Sequence, residues 1–306
     1  MMEPKPKNDN SMAEDFFAGG VAALLSKTLV APIERVKILL QVQGSIKRTH
    51  PENHYKGILD CFYTITTEQG YLSLWRGNLA NIYRYFPTQA LNFACKEKYK
   101  QYLNPYDKEK QPAKFFYGNI ISGSAAGATS LLIVYPLDFA RTRLAADCGI
   151  HSQRQFSSLS NCIQTIYSKE QLRGLYRGIR VSLLGIVVYR GAYFGLYDTG
   201  YAILFQNKED RTFTKLWAFA QVTTLLACKI AYPLDTIRRR LMMQSGVKNK
   251  MYHSTYEYLC QIHAKEGILG FFKGGASNTL RSIGGALALV FYSKIKSLIE
   301  DYSNKI

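Results

Sequence analysis

The sequence predicts an all-α membrane protein: six transmembrane helices arranged as three homologous repeats, with short surface helices between them. Two observations carry that prediction. The segment "APIERVK" at 31–37 recurs as "YPLDFAR" at 135–141 and "YPLDTIR" at 232–238, and an aromatic-basic-Gly element closing at Gly77, Gly178 and Gly274 follows each copy. Each copy also contains two mainly apolar stretches, at 16–33 and 78–95, 115–137 and 179–205, and 216–234 and 275–299. Self-similarity at a fixed period marks a repeat architecture, and about twenty apolar residues are enough to cross a bilayer as a helix. The chain divides into a disordered tail at 1–13 and repeats at 14–110, 111–208 and 209–306.

The order of elements is the same in every repeat. The first apolar stretch is rich in small residues, as in "AGGVAALLS" and "SGSAAGATS", where Gly123 and Gly127 allow close helix packing. It runs into the Pro motif, where the ring removes a helical hydrogen bond and introduces a kink. A polar loop, a short amphipathic segment, the aromatic-basic-Gly element and the second apolar stretch follow.

The 306 residues carry 39 Lys and Arg against 22 Asp and Glu. Such a balance suits a nucleic-acid binder, a protein at an anionic lipid surface, or one that handles an anionic small molecule. A mean hydropathy of -0.13 would by itself suit a soluble protein, but it is expected if one face of each span lines a watery cavity. The nucleic-acid reading needs cations on solvent-exposed faces, whereas Lys27, Arg84 and Arg281 interrupt apolar runs. Six cysteines without a CxxC or Cys/His cluster imply free thiols and no metal site. No nucleophile–base constellation or glycine-rich phosphate loop stands out, so neither enzyme activity nor a cofactor is expected. The amino terminus has neither a secretory core nor an Arg-rich presequence, which places any targeting information inside the chain.

Each Pro motif holds an acid and a base three residues apart: Glu34 and Lys37, Asp138 and Arg141, Asp235 and Arg238. Local pairing on one helix face is one possibility. Pairing of each acid with the base of another repeat is the other, giving Glu34–Arg141, Asp138–Arg238 and Asp235–Lys37. Such a ring satisfies every charge at membrane depth, blocks a pore and can be broken, as a gate requires.

A small ligand lacks threefold symmetry, so positions that differ between repeats are the ones expected to read it. Lys27, Arg84 and Arg281 place cations at matched depth, while Gly185 and Ile186 offer a flat apolar surface. Arg forks and a Lys point charge suit phosphate, and a flat wall suits an aromatic base, so an anionic nucleotide is expected. Tyr189, Tyr193 and Tyr197 form a stripe at helical spacing, with Arg190 beside it and Asn92 as a further polar group.

These motifs resemble the mitochondrial carrier family over essentially the whole chain. The resemblance implies a six-helix pseudosymmetric bundle in the inner mitochondrial membrane with short matrix helices, a central substrate site and alternating access. It implies a matrix gate of the six paired residues, braced by Gln41. "RRRLMM" at 238–243, "NLANIYRYFPTQALNFA" and "YPLDFARTRLA" are close to the ADP/ATP carrier subfamily. By that resemblance Lys27, Arg84 and Arg281 hold phosphates, and Gly185, Ile186 and Tyr189 flank adenine, with ADP and ATP as the exchanged substrates. Arg239 is then placed to follow phosphate as the gate opens, and Arg240 to face a neighbouring helix or the matrix rim. A functional monomer with structural cardiolipin, and without nucleic acid, is implied. The lipid seats map to Gly57 and to Arg76-Gly77, Arg177-Gly178 and Lys273-Gly274.

The chain departs from the family pattern at several positions. The cytoplasmic gate aligns Glu97 with Lys100, Asp198 with Tyr201, and Ser293 with Lys296, which leaves Asp198–Lys296 as the one intact pair. A weakened cytoplasmic gate is expected. Ala231 stands where a Ser is usual, Gln171 replaces the glycine matched by Gly70 and Gly267, and Ser158 and Ser254 replace the equivalent of Gly57. Altered nucleotide selectivity or a marked proton leak is the alternative these changes leave open.

Overall fold

The computed structural model describes residues 9–45, 54–106, 110–149, 154–205, 212–247 and 254–281. The long helices are α1 (Asp9–Val42), α3 (Asn78–Leu103), α4 (Pro112–Ala145), α6 (Ile179–Leu204) and α7 (Phe213–Met243). Short helices α2 (Ile58–Gln69), α5 (Leu159–Leu175) and α8 (Thr255–Glu266) lie between the members of each pair, and α9 (Gly275–Arg281) opens the last stretch. Residues 9–13, assigned by sequence to a disordered tail, belong to α1, since neither proline nor glycine interrupts the chain between Asn8 and Phe17.

The long helices close into a ring: α3 packs on α4, α6 on α7, and α9 returns to α1. Pro32, Pro136 and Pro233 lie inside α1, α4 and α7, where each ring removes a helical hydrogen bond and kinks its helix at the matched motif position. Below the bends the helices converge, and the buried core gathers there rather than mid-bundle. Cys61 and Ile65 of α2, Cys162 and Ile166 of α5, and Tyr258 and Ile262 of α8 are buried pairs one turn apart. Each short helix thereby packs its apolar stripe against a bent helix. Burial pushes the Cys162 thiol up to about 12 and the Cys61 thiol up as well, which keeps both unreactive.

Above the bends the outward faces expose Leu29, Phe93, Ile133, Leu184 and Ile230, as spans that meet lipid would. Composition alone marks only two of the described helices as membrane-crossing: Ala113–Ala145 with a mean hydropathy of 1.5, and Ile179–Leu204 with 1.3. This falls short of the six spans expected. α1, α3 and α7 are long enough, at 34, 26 and 31 residues, and are diluted by the polar groups on their inner faces. Most of the sixth span lies outside the described residues.

The closed end repeats one contact three times. Gly77, Gly178 and Gly274 adopt φ of +84°, +86° and +79°, and a Cβ on each would meet the backbone carbonyl of Arg141, Arg238 or Lys37 at 3.0–3.1 Å. Left-handed backbone and this close approach both require glycine. Each even-numbered stretch is thereby seated on the gate base of the next repeat.

Candidate functional site

At the level of the bends, three ion pairs join the repeats. Arg141 donates to Glu34, Arg238 Nη2 lies 3.2 Å from Asp138 Oδ2, and Lys37 Nζ lies 3.2 Å from Asp235 Oδ2. The local alternative is also present once, as Arg238 Nη2 lies 3.3 Å from Asp235 Oδ1 on its own helix. Gln41 Nε2 donates to Asp235 Oδ2 at 3.2 Å and to Thr236 Oγ1 at 3.3 Å, so it braces the Lys37–Asp235 pair from below. Arg239, expected to follow phosphate as the gate opens, is held in this closed arrangement: its Nε is 3.1 Å from Asp235 Oδ2. One turn separates the two on α7, and an uncompensated charge at this depth would be costly.

A second ring lies under the first, and the sequence reading did not find it. Arg35 Nε donates to Ala145 O at 3.2 Å, and its Nη2 to Asp147 O at 3.0 Å, at the end of α4. Arg143 Nη1 donates to Met243 O at 2.7 Å at the end of α7, and Arg240 Nε to Gln41 O at 2.7 Å at the end of α1. Guanidinium groups of one repeat thus cap the carboxyl-terminal carbonyls of another, where the helix dipole favours a cation. Arg240 also grips Glu266 with two bonds of 2.8 Å. Burial alone would raise the Glu266 carboxyl, and the bonds from Arg240 and Lys273 more than reverse that, holding it below 4.5. The third arginine of "RRRLMM" therefore faces a neighbouring helix and is 1 % exposed.

Above the ion pairs opens a cavity of about 450 Å³. Its lining brings together most of the predicted ligand residues: Arg84, Asn92, Gly185, Ile186, Tyr189, Arg190, Arg239 and Arg281, along with the six paired gate residues, Cys228 and Ala231. Lys27 is drawn aside, with its ammonium 4.2 Å from the centroid of the Tyr85 ring. A desolvated ammonium takes the π face as a partner. The three predicted cations are therefore two arginines in the lining and one lysine parked beside it. Arg84 Nε reaches to 3.5 Å from Asp138 Oδ1. Tyr189, Tyr193 and Tyr197 stack with centroids 6.2 and 5.8 Å apart, and Tyr201 continues the column at 6.1 Å.

At the other end of the bundle Glu97, Lys100 and Asp198 are exposed and enter no ion pair among the described residues. Lys296 and Ser293 lie outside the described residues. The side chains matched to lipid seats also join elements of the protein. Arg76 Nη1 donates to Asp147 O at 3.1 Å and Gly149 O at 2.9 Å, Arg177 Nη1 to Gln244 O at 2.9 Å, and Lys273 Nζ lies 2.8 Å from Glu266. Side-chain hydroxyls cap α5 and α8, with Ser158 accepting from Asn161 N and Ser254 from Tyr256 N, whereas Gly57 leaves the start of α2 without a side-chain cap.

A threefold frame of bent helices, locked at one end around a cationic cavity, is a transport architecture, and the family comparison agrees with it. The model of the mitochondrial carrier protein family matches residues 8–107, 112–208 and 209–303. The chain belongs to the mitochondrial carrier family. Among curated relatives of this carrier is a mitochondrial substrate carrier family protein, ancA, of Dictyostelium discoideum, 54% identical over 97% of each chain. ADP/ATP translocase 2 of Bos taurus is 55% identical over 94% of this carrier and 97% of its own length. ADP/ATP translocase 3 of Homo sapiens is 54% identical over 94% and 98% respectively.

Proposed function

We propose that this carrier exchanges ADP for ATP across the inner mitochondrial membrane, as a monomer, by alternating access. The observation that carries the reading is the cavity. Arg84 and Arg281 stand in one lining with the flat surface of Gly185, Ile186 and Tyr189, directly above a closed ion-pair ring. That arrangement suits a ligand with several phosphates at one end and a planar base at the other, and relatives named ADP/ATP translocases share about half of the sequence.

On this reading the ion-pair ring is the matrix gate, shut here, and the cavity above it is the one nucleotide enters from the cytosol. Phosphate oxygens take Arg84 and Arg281 as forked donors. That competes with Arg84's contact to Asp138 and loosens the ring from above. Opening costs three ion pairs and their brace, and nucleotide contacts made in the rearranged cavity offset that cost. ATP carries about one more negative charge than ADP, so exchange moves net charge. An energised membrane favours ADP inward and ATP outward by about 2.3 kcal/mol per 100 mV. Cardiolipin phosphates fit best at the uncapped start of α2, where backbone N–H groups point outward.

Uptake of labelled ADP into liposomes preloaded with ADP, ATP, AMP, GTP or nothing tests the reading. Uptake should require internal ADP or ATP. Uptake into empty liposomes, or equal exchange of GTP, rejects it.

A further inference from the structure

Two buried asparagines stand between the cavity arginines and the ion-pair ring. Asn81 lies four residues after Gly77 and Asn278 four after Gly274, and they are 1 % and 8 % exposed. Arg84 Nη2 donates to Asn81 Oδ1 at 3.4 Å, and Asn81 Nδ2 passes a bond of 3.1 Å to Glu34 Oε2. Asn278 Oδ1 accepts from Lys37 Nζ at 2.8 Å and from Arg281 Nε at 3.4 Å. The matched position in the second repeat is Ser182, whose hydroxyl bonds to Gly178 O at 3.0 Å and lies 3.4 Å from Tyr135 Oη. That repeat has Gly185 where the others have arginine, so it has no cation to connect. Its acid, Asp138, is reached directly by Arg84 at 3.5 Å. Two arginines therefore touch all three gate pairs, one pair by direct contact and two through an asparagine.

We propose that Asn81 and Asn278 are positioning residues that convey phosphate capture at Arg84 and Arg281 to the ion-pair ring. The inference rests on the nucleotide-exchange reading above. The signs of the two relays agree. In the first, donation from Arg84 polarises the Asn81 amide and strengthens its bond to Glu34. When phosphate takes Arg84, that bond weakens and Glu34 is held less firmly in place. In the second, Lys37 and Arg281 compete for one carbonyl oxygen. When phosphate takes Arg281, Asn278 draws Lys37 more strongly, at the expense of Lys37–Asp235. Both changes lower the cost of opening, one when phosphate takes Arg84 and the other when it takes Arg281, so only a ligand that engages both arginines loosens the ring through both relays.

The test uses the whole carrier in liposomes and in detergent, with Asn81→Ser, Asn278→Ser and the double variant. Ser182 shows that the fold accepts serine at this position, and the Ala variants serve as a second set. Equilibrium binding of ADP and the rate of exchange at saturating ADP are measured side by side. The relay predicts ADP affinity within about twofold of the parent and a maximal rate lowered about tenfold per relay, the loss of one charge-assisted hydrogen bond. A parental rate overturns the inference, as does a fall in affinity that matches the fall in rate, since that makes the asparagines part of the ligand site. If the parent binds ADP but exchanges no adenine nucleotide, the exchange reading fails and the relay with it. A parent that exchanges normally beside unaffected variants sinks the relay alone.

Discussion

The closed end and the cavity are built on the same three repeats and treat them in opposite ways. At the closed end the repeats act alike: three acid–base pairs, three arginine caps on helix carboxyl ends, and three left-handed glycines seated on a gate base. One turn or two above, the repeats diverge into Lys27 on an aromatic face, Arg84 and Arg281 in the lining, and Gly185 beside Ile186. A lock on the axis must resist opening from every side, so it benefits from equal contributions. A ligand with a charged end and a flat end is read only where the contributions differ. Symmetry therefore marks gating, and its loss marks recognition.

The largest expected effect lies where symmetry is lost. Arg281→Ala should lower exchange by about a hundredfold or more, because it removes one of the two forked donors, Arg84 and Arg281, that the phosphates are read by. Its one described hydrogen bond within the protein is the 3.4 Å contact to Asn278, so thermal stability in the absence of nucleotide should hardly move. Uptake by liposomes and the melting temperature in detergent, measured on one preparation, check both halves. Strong destabilisation would place Arg281 with the lock and blur the division.

A change in the lower ring should give the reverse signature. Arg240→Met removes a buried guanidinium that holds both Gln41 O and Glu266, leaving a half-buried carboxylate with Lys273 alone. The expected cost is about 3 kcal/mol of stability, seen as a fall in melting temperature. Acid titration sharpens the case. In the parent, Glu266 is held below 4.5, with burial opposed and outweighed by bonds from Arg240 and Lys273. Its contribution is therefore present above the unfolded value and lost as pH falls through the folded one. In Arg240→Met that acid-dependent loss should shrink. A variant as acid-sensitive as its parent would show that the pair does not support the closed end.

The two regions were also unequally legible in the sequence. The ion-pair ring could be written down because repeats announce their partners: once three acids and three bases recur at one spacing, threefold closure allows few pairings. The cavity residues followed from asking where the repeats differ, and Arg84, Arg281, Gly185, Ile186 and Tyr189 do share one lining. The lower ring was hidden because its acceptors are backbone carbonyls, which leave no mark in sequence, and because Arg35 stands four residues earlier in its motif than Arg143 and Arg240 do in theirs. The resting contact of Lys27 was not legible because repeat symmetry fixes the depth of a side chain and not its rotamer. Tyr85, next to Arg84, captured it.

The smallest expected effect concerns a place where the closed end breaks its own rule. The turn after each short helix requires left-handed backbone, supplied by Gly70 at φ +78° and Gly267 at +64°, while the second repeat holds Gln171 at φ +53° and ψ -149°. That region is close to glycine-only, and a side chain there costs about 1–3 kcal/mol. Part of the gain on restoring glycine is cancelled by the freer unfolded chain. Gln171→Gly should therefore raise stability by about 1 kcal/mol, read as a higher melting temperature with exchange unchanged. The reciprocal Gly70→Gln should lower it by a similar amount. If Gln171→Gly instead destabilises, the strained turn contributes a contact that glycine cannot make, and the second repeat departs from its siblings at the closed end as well as in the cavity.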